Sequence, residues 1–374
     1  MNTRGLEHPT ITIDQLEPHL QMAWKCQRSL FIIGDFGVGK TTVVSDFAKG
    51  QGADFHTMVA SMMDRLDLGG LPYGDPGSDT TRMRPSAVIA GLSKERNPDG
   101  APAVLYLNEF NAAPDSVQPV FLRLIGERKI GDLSIRDNVL VVADGNPSSA
   151  SRLSRDLPEP TRRRFNWLMV RSSAATWCDY AARRGLNPLV GAFVSQQARF
   201  FYTFDPSKKH HLCYACGASW ERVASDLAHA TDIFGGDGEG LTTWVCGLVG
   251  VEAGQQFAAF LRHRNSIPDV FKFLAKPKTG ELPSGADAFW VFLASVAQVT
   301  SENPSKFLDP TSILAGRLFR ENMVEGGAYL VRYLVRNPGI GRDLWDAKGG
   351  GELMDEIMKH PELVQALLKQ AAGQ

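Results

Sequence analysis

Residues 34 to 41 read Gly34-Asp35-Phe36-Gly37-Val38-Gly39-Lys40-Thr41, a complete G-x-x-x-x-G-K-[ST] segment. It follows an apolar run, Leu30 to Ile33, and precedes a helix-like stretch from Thr41 to Lys49 that Gly50 stops. Such a strand–loop–helix unit is built to hold a triphosphate. Backbone N–H groups must converge on closely spaced anionic oxygens without Cβ atoms in the way, and a helix N-terminus adds a favourable dipole. Gly34, Gly37 and Gly39 permit that approach. Lys40 reaches the β- and γ-phosphates, and the Thr41 hydroxyl takes a place on Mg²⁺. The nucleotide-holding set is therefore Asp35, Phe36, Val38 and Thr42 together with those three glycines, Lys40 and Thr41. ATP and Mg²⁺ are the expected cofactors.

The chain has 374 residues, more than one core comfortably fills, so two or three domains are expected. A formal charge of −1 argues against a protein whose main work is to coat nucleic acid. Met1 to His8 contains no apolar h-region, and no apolar run approaches the ~18 residues of a membrane helix. Five cysteines at irregular spacing fit a reducing compartment. The expectation is a cytoplasmic protein without membrane insertion.

Short apolar runs alternate with helical patterns through the first half. Strands are expected at Leu30–Ile33, Phe55–Ala60, Ala103–Leu107, Val139–Ala143 and Trp167–Val170, after a lead-in helix over 10–28 capped by Asp14. Strands separated by helices imply a parallel sheet covered on both faces, with ligand-binding loops gathered at the strand C-termini. From Ala174 onward the pattern is helical, with helices expected at 174–184, 188–200, 220–230, 242–263 and 286–299. A Pro-containing divider spans Arg264–Ser284, and a last helical region covers 310–336 and 351–372. The fold class is thus α/β, a P-loop NTPase parallel sheet flanked by helices and followed by an all-α lid and a helical C-terminal extension. The corresponding ranges are 1–171, 172–263 and 264–374.

Three polar motifs fall at the expected strand ends. Ala103 to Leu107 ends in Asn108-Glu109, where P-loop enzymes usually carry an acidic pair. One carboxylate of such a pair holds the Mg²⁺ shell and the next polarises the attacking water. Glu109 fits the water-activating role. Asn108 can orient a metal-bound water but lacks the charge. The strand Val139–Ala143 leads into Asp144-Gly145-Asn146-Pro147, and the Asn146 amide can donate to and accept from a water near the γ-phosphate. Leu157-Pro-Glu-Pro-Thr then precedes Arg162, Arg163 and Arg164, a solvated or a phosphate-binding patch.

Together, Gly34–Thr41, Asn108-Glu109-Phe-Asn111-Ala-Ala-Pro114, Asn146-Pro147 and Leu157-Pro-Glu through Arg164-Phe165 resemble the AAA+ ATPases, specifically their MoxR-like branch, over about residues 10 to 260. The resemblance implies Glu109 as catalytic base and Asn146 as the first sensor. It also implies Arg164 as an arginine finger acting on a neighbouring subunit, with Arg163 as the alternative. The implied protein is a homo-oligomeric ring, a hexamer, that hydrolyses ATP to remodel a protein client; partners of this branch often carry a von Willebrand factor A domain. A nucleic-acid motor of the McrB type and a nucleotide-holding scaffold with little turnover are the alternatives.

Two positions depart from the branch. Asn108 replaces the aspartate of the strand end. In the lid, Ala218 stands where an arginine usually senses nucleotide, leaving Arg222 as its substitute or as a surface residue. The stretch from Met63 to Pro85 resembles the loop that this branch inserts, and Arg128–Ile135 reads as a short hairpin; both imply contact with a remodelled partner. His210-His211 and the Cys213-x-x-Cys216 pair are a weak zinc signal, because a structural site needs four ligands, usually two separated pairs. Small buried thiols are expected there, and Lys208–His211 is read as a solvated loop.

Overall fold

The computed structural model describes residues 10–75, 77–147, 156–205, 207, 212–234, 238–337, 340–341 and 343–371. The chain divides into two compact units, Met1–Ser172 and Ser173–Gln374. The Lys208–His211 stretch lies outside the described residues.

The first unit runs β1 (Thr10–Thr12), α1 (Leu16–Cys26), β2 (Leu30–Gly34), α2 (Lys40–Gly50), β3 (Asp54–Val59), α3 (Arg65–Gly69), β4 (Leu71–Gly74), β5 (Thr81–Arg84), α4 (Ala87–Leu92) and β6 (Ala103–Asn108). It continues with α5 (Gln118–Glu127), β7 (Lys129–Ile130), β8 (Leu133–Ser134), β9 (Val139–Gly145), α6 (Glu159–Arg162) and β10 (Asn166–Arg171). Six strands pair in parallel in the order β1-β10-β2-β9-β6-β3. All five expected strands are in it.

Strand β1 and the short turn after it correct the reading of 10–28 as one helix. Thr12 and Gln15 form a capping box, with the Thr12 N–H donating to Gln15 Oε1 at 3.0 Å, and the α-helix begins only at Leu16. Asp14 is not the cap. Three residues are too few to show an alternating pattern, and pairing with Met169–Arg171 is what makes them a strand.

Successive residues of each strand point to opposite faces, and both faces are covered, so the strands read as continuous apolar runs. On β6, Val104 and Tyr106 pack with Leu140 and Val142 of β9 against Leu16, Leu20, Val44 and Phe47 of α1 and α2. Leu105 and Leu107 pack with Val141 and Ala143 against Ile89, Leu92, Phe121 and Leu124 of α4 and α5. The same alternation carries Asn108 and Asp144 to the face of α2.

Two antiparallel hairpins leave this unit. The β4–β5 hairpin occupies the expected inserted loop, pairing Leu71 with Arg84. Gly70 is required beside it: its φ is +86°, and a Cβ there would collide with the Arg84 carbonyl. The β7–β8 hairpin pairs Lys129 with Ser134 where the sequence places a hairpin.

The second unit is helical: α7 (Ala174–Arg183), α8 (Pro188–Gln196), α9 (Gly217–Phe234), α10 (Glu239–Val249), α11 (Val251–Arg262), α12 (Val270–Leu274), α13 (Ala286–Glu302), α14 (Pro304–Arg320), α15 (Val324–Arg336), α16 (Asp343–Asp346), α17 (Gly350–Met358) and α18 (Pro361–Ala371). The expected helix 242–263 is two, broken at Gly250, whose φ of +89° no continuous helix allows. Pro310 lies inside α14 rather than opening it; the first-turn proline is Pro304. Residues on both sides of the expected divider at 264–284 share one core, from Trp177 through Phe257 and Phe292 to Leu363. Tyr329 donates to the Pro188 carbonyl at 2.8 Å from inside it, and Trp290 packs edge-on to the same ring. Among the described residues no helix is long and apolar enough to cross a membrane.

Candidate functional site

The loop between β2 and α2 has the backbone a phosphate cradle needs. Gly37 and Gly39 have φ of +68° and +95°. Gly34 is required for another reason, since a Cβ there would stand 2.6 Å from the Val170 carbonyl of β10. Val38 is buried, Ile13 stands close to the Gly39 position, and Asp35, Phe36 and Thr42 are half-buried. Lys40 opens α2 with its side chain only 7% exposed. Its ammonium donates to the carbonyls of Gly34 at 2.7 Å and Asp35 at 3.0 Å, and to Asn146 Oδ1 at 3.2 Å. Burial pushes the Lys40 pKa down, and the nearby Asp144 carboxylate opposes that shift.

Asp144 is the residue the sequence reading passed over. Strand β9 extends two residues beyond the expected end at Ala143, so Asp144 is in the sheet rather than in a turn. One carboxylate oxygen lies 3.6 Å from Lys40 Nζ, and the other accepts the Glu109 N–H at 2.8 Å. Burial pushes its pKa up, against the pull of Lys40. The Tyr106 phenol is buried near the same carboxylate, whose charge adds to burial in pushing the phenol pKa up, and it accepts from Thr41 Oγ1 at 3.4 Å.

Glu109 follows β6 in the left-handed region, φ +54°, a backbone state that costs a non-glycine residue energy and is held here by its surroundings. Its Oε2 accepts from Ser61 Oγ at 2.6 Å. Ser61, in the turn after β3, carries no local signal in the sequence. Asn111 clamps the Asn146 backbone from both sides. Its Nδ2 donates to the Asn146 carbonyl at 2.7 Å, and its Oδ1 accepts the Asn146 N–H at 3.3 Å. Lys40, Asn146, Asp144 and Glu109 thus converge at the ends of three adjacent strands, and Thr41 joins them through Tyr106.

The arginines stand apart from this cluster. Arg162 and Arg163 reach Glu159 at 2.9 and 3.8 Å, while Arg164 donates to the Pro160 carbonyl at 2.8 Å and lies over Gly126 of α5. All three are exposed. Arg222 is an exposed residue of α9 in the second unit. Cys216 is buried and Cys213 half-buried, with Cys213 Sγ donating to the Cys246 carbonyl at 3.2 Å.

The donor set fits Mg²⁺, which prefers hard oxygen ligands and keeps several waters while bound through one or two carboxylates and substrate phosphates. Thr41 Oγ1, the Tyr106 phenol, the Asp144 carboxylate and the half-buried Asn108 amide supply oxygens, with no sulfur or imidazole among them.

Residues 29–165 match the family model described as AAA domain (dynein-related subfamily). No curated protein matches the chain. Among solved structures, a point variant of Thermotoga maritima RuvB is 12% identical, with a TM-score of 0.40, covering 89% of this chain and 92% of its own. The Thermotoga maritima RuvB Holliday junction branch migration motor is 13% identical, with a TM-score of 0.33, covering 90% and 94%. With that strand order, that loop and the matching family model, residues 29 to 165 form an AAA+ ATPase domain.

Proposed function

We propose that this chain is a Mg²⁺-dependent ATPase of the MoxR-like kind, assembling as a hexameric ring and using hydrolysis to remodel or activate a partner protein. The observation that carries the reading is the meeting of Lys40, Asn146, Asp144 and Glu109 at the strand ends beside the phosphate loop. Lys40 and the loop N–H groups hold the β- and γ-phosphates. Bound Mg²⁺ would supply charge neutralisation at those oxygens, on the Thr41 side of the loop. Asn146 orients a water and Glu109 takes its proton as the water oxygen bonds to the γ-phosphorus and the bond to the β-phosphate oxygen breaks, giving ADP and phosphate. Arg164 of a neighbouring subunit, or Arg163, offsets charge on the transferred group, while Arg222, exposed on α9, keeps both of its readings, a substitute nucleotide sensor or a surface residue.

A protein client is favoured by the surface of the β4–β5 insertion. Met62 is 83% exposed and Leu71 58%, close in sequence to the exposed Leu66 and Met83. Large exposed apolar side chains on an inserted hairpin are the kind of surface that protein contacts use. The client class carried over from the MoxR-like resemblance is a protein with a von Willebrand factor A domain, and the near-neutral charge argues against a nucleic-acid track.

Phosphate release by the purified chain, compared with Glu109→Gln, tests the reading. Turnover is expected to vanish in the variant while nucleotide binding persists; equal turnover in both would remove Glu109 as the base. One observation favours a second reading, a nucleotide-holding scaffold: the neutral Asn108 at the metal-side position. Nucleotide bound with no phosphate release by the assembled wild type would select it.

A further inference from the structure

We propose that Asp144 supplies the carboxylate to the magnesium shell that position 108 lacks in this chain. The inference rests on the nucleotide site proposed above and assigns a metal-positioning role to a residue on a different strand.

The topology allows the exchange. Strand β9 lies between β2, which leads into the phosphate loop, and β6, which carries Asn108. Asp144 pairs with Ile32 of β2, and the β6–β9 register that sets Leu107 beside Ala143 continues to Asn108 beside Asp144. Both residues are on the α2 face. A carboxylate moved from residue 108 to residue 144 therefore stays on the same face, one strand nearer the loop.

The hydrogen bonding leaves that carboxylate capacity to spare. An ammonium has three N–H donors. Lys40 has three oxygen acceptors within 3.2 Å in Gly34, Asp35 and Asn146, whereas Asp144 Oδ2 is farther away at 3.6 Å. Lys40 thus needs Asp144 for charge, not for hydrogen bonding. A buried carboxylate is costly unless its charge is used, and a neutral residue would satisfy the Glu109 N–H equally well. Asp144 also lies near Tyr106, whose phenol accepts from Thr41 Oγ1 at 3.4 Å, and Thr41 is the loop's metal-side hydroxyl in the reading above. This puts negative charge on the strand next to the one that leads into the phosphate loop, where it would help to hold Mg²⁺.

The test is the metal dependence of nucleotide binding by the full chain, read with a fluorescent ATP analogue in Mg²⁺ and in EDTA, alongside Mn²⁺ binding by electron paramagnetic resonance with the same analogue. Asp144→Asn is expected to weaken metal binding by about 10- to 100-fold, the usual effect of losing a group that supports a metal shell, with binding in EDTA retained. Restoring the carboxylate as Asn108→Asp in the Asp144→Asn background is expected to recover most of the loss. A wild-type metal dependence in Asp144→Asn overturns the proposal, as does a loss that Asn108→Asp does not rescue. If Asp144→Asn fails to fold, Asn108→Asp alone decides. A gain under about twofold supports a carboxylate already in place, and a gain of about tenfold or more means that the shell lacked one and overturns it. A wild-type chain that binds no nucleotide in either condition would instead remove the nucleotide site itself.

Discussion

Asn111 holds the backbone of Asn146 at both its N–H and its carbonyl, at 3.3 and 2.7 Å, from a side chain only about one-twentieth exposed. A Cβ at Gly145 would collide with that amide, so a glycine precedes the clamped residue. The clamp fixes where the Asn146 side chain meets Lys40. Replacing Asn111 with alanine leaves two backbone groups unpaired in a buried place, at a cost of about 1–3 kcal/mol. Asn111→Ala is therefore expected to lower the denaturant midpoint and to reduce turnover more than nucleotide affinity. Unchanged stability would mean that water takes over both bonds.

The Lys40–Asp144 pair carries a second prediction. With side chains 7% and 5% exposed, it belongs to the class in which removing one partner costs about 3–5 kcal/mol, because the other is left buried and unpaired. Lys40→Ala is expected to lose nucleotide binding and also to melt at lower temperature. Lys40→Ala with Asp144→Asn should recover the melting temperature but not the binding. A single variant that melts like wild type would show that the Asp144 carboxylate is not uncompensated there.

Cys178 gives a pH-dependent outcome. Burial pushes its thiol up to about 11, against the weaker pull of Ser195 and of Arg336 and Arg332, and its Sγ donates to the Gly191 carbonyl at 3.4 Å. The raised pKa keeps the thiolate, the reactive form, scarce at neutral pH. In alkylation followed by peptide mass mapping, the exposed Cys26 should be modified first. Cys178 labelling should still be rising with pH above 9. Equal rates at neutral pH would contradict the buried environment.

How much of this was legible in the sequence depends on the range of the forces involved. The phosphate loop and five strands were legible because their signals are local: glycines at fixed offsets and runs of apolar residues. Strand β1 was not, because three residues become a strand only through pairing with β10. Asp144 was hidden because Asp-Gly-Asn-Pro has the composition of a turn, while the ladder to β2 keeps Asp144 and Gly145 in the sheet. Ser61 gave no signal, since its meaning comes from Glu109, 48 residues away. The shared core of the second unit likewise depends on contacts such as Tyr329 with Pro188, 141 residues apart.

The three arginines at the C-terminal end of α6 allow a test of assembly. Glu159 already engages Arg162 and Arg163, whereas Arg164 rests on a neutral carbonyl beside α5 with its side chain exposed. Among the described residues Arg164 has no ion pair to break in turning outward. If it completes a neighbour's site, Arg164→Ala should lower turnover by about 10³ or more with little change in nucleotide affinity. In a ring closed by head-to-tail interfaces, each site takes its base from one subunit and its arginine from the next. Mixing Arg164→Ala subunits with Glu109→Gln subunits in equal amounts then makes about a quarter of the interfaces intact. Activity should reappear on mixing, though neither variant has it alone. Rings shown to exchange subunits that stay inactive would move the role to Arg163, or place Arg164 in its own subunit's site.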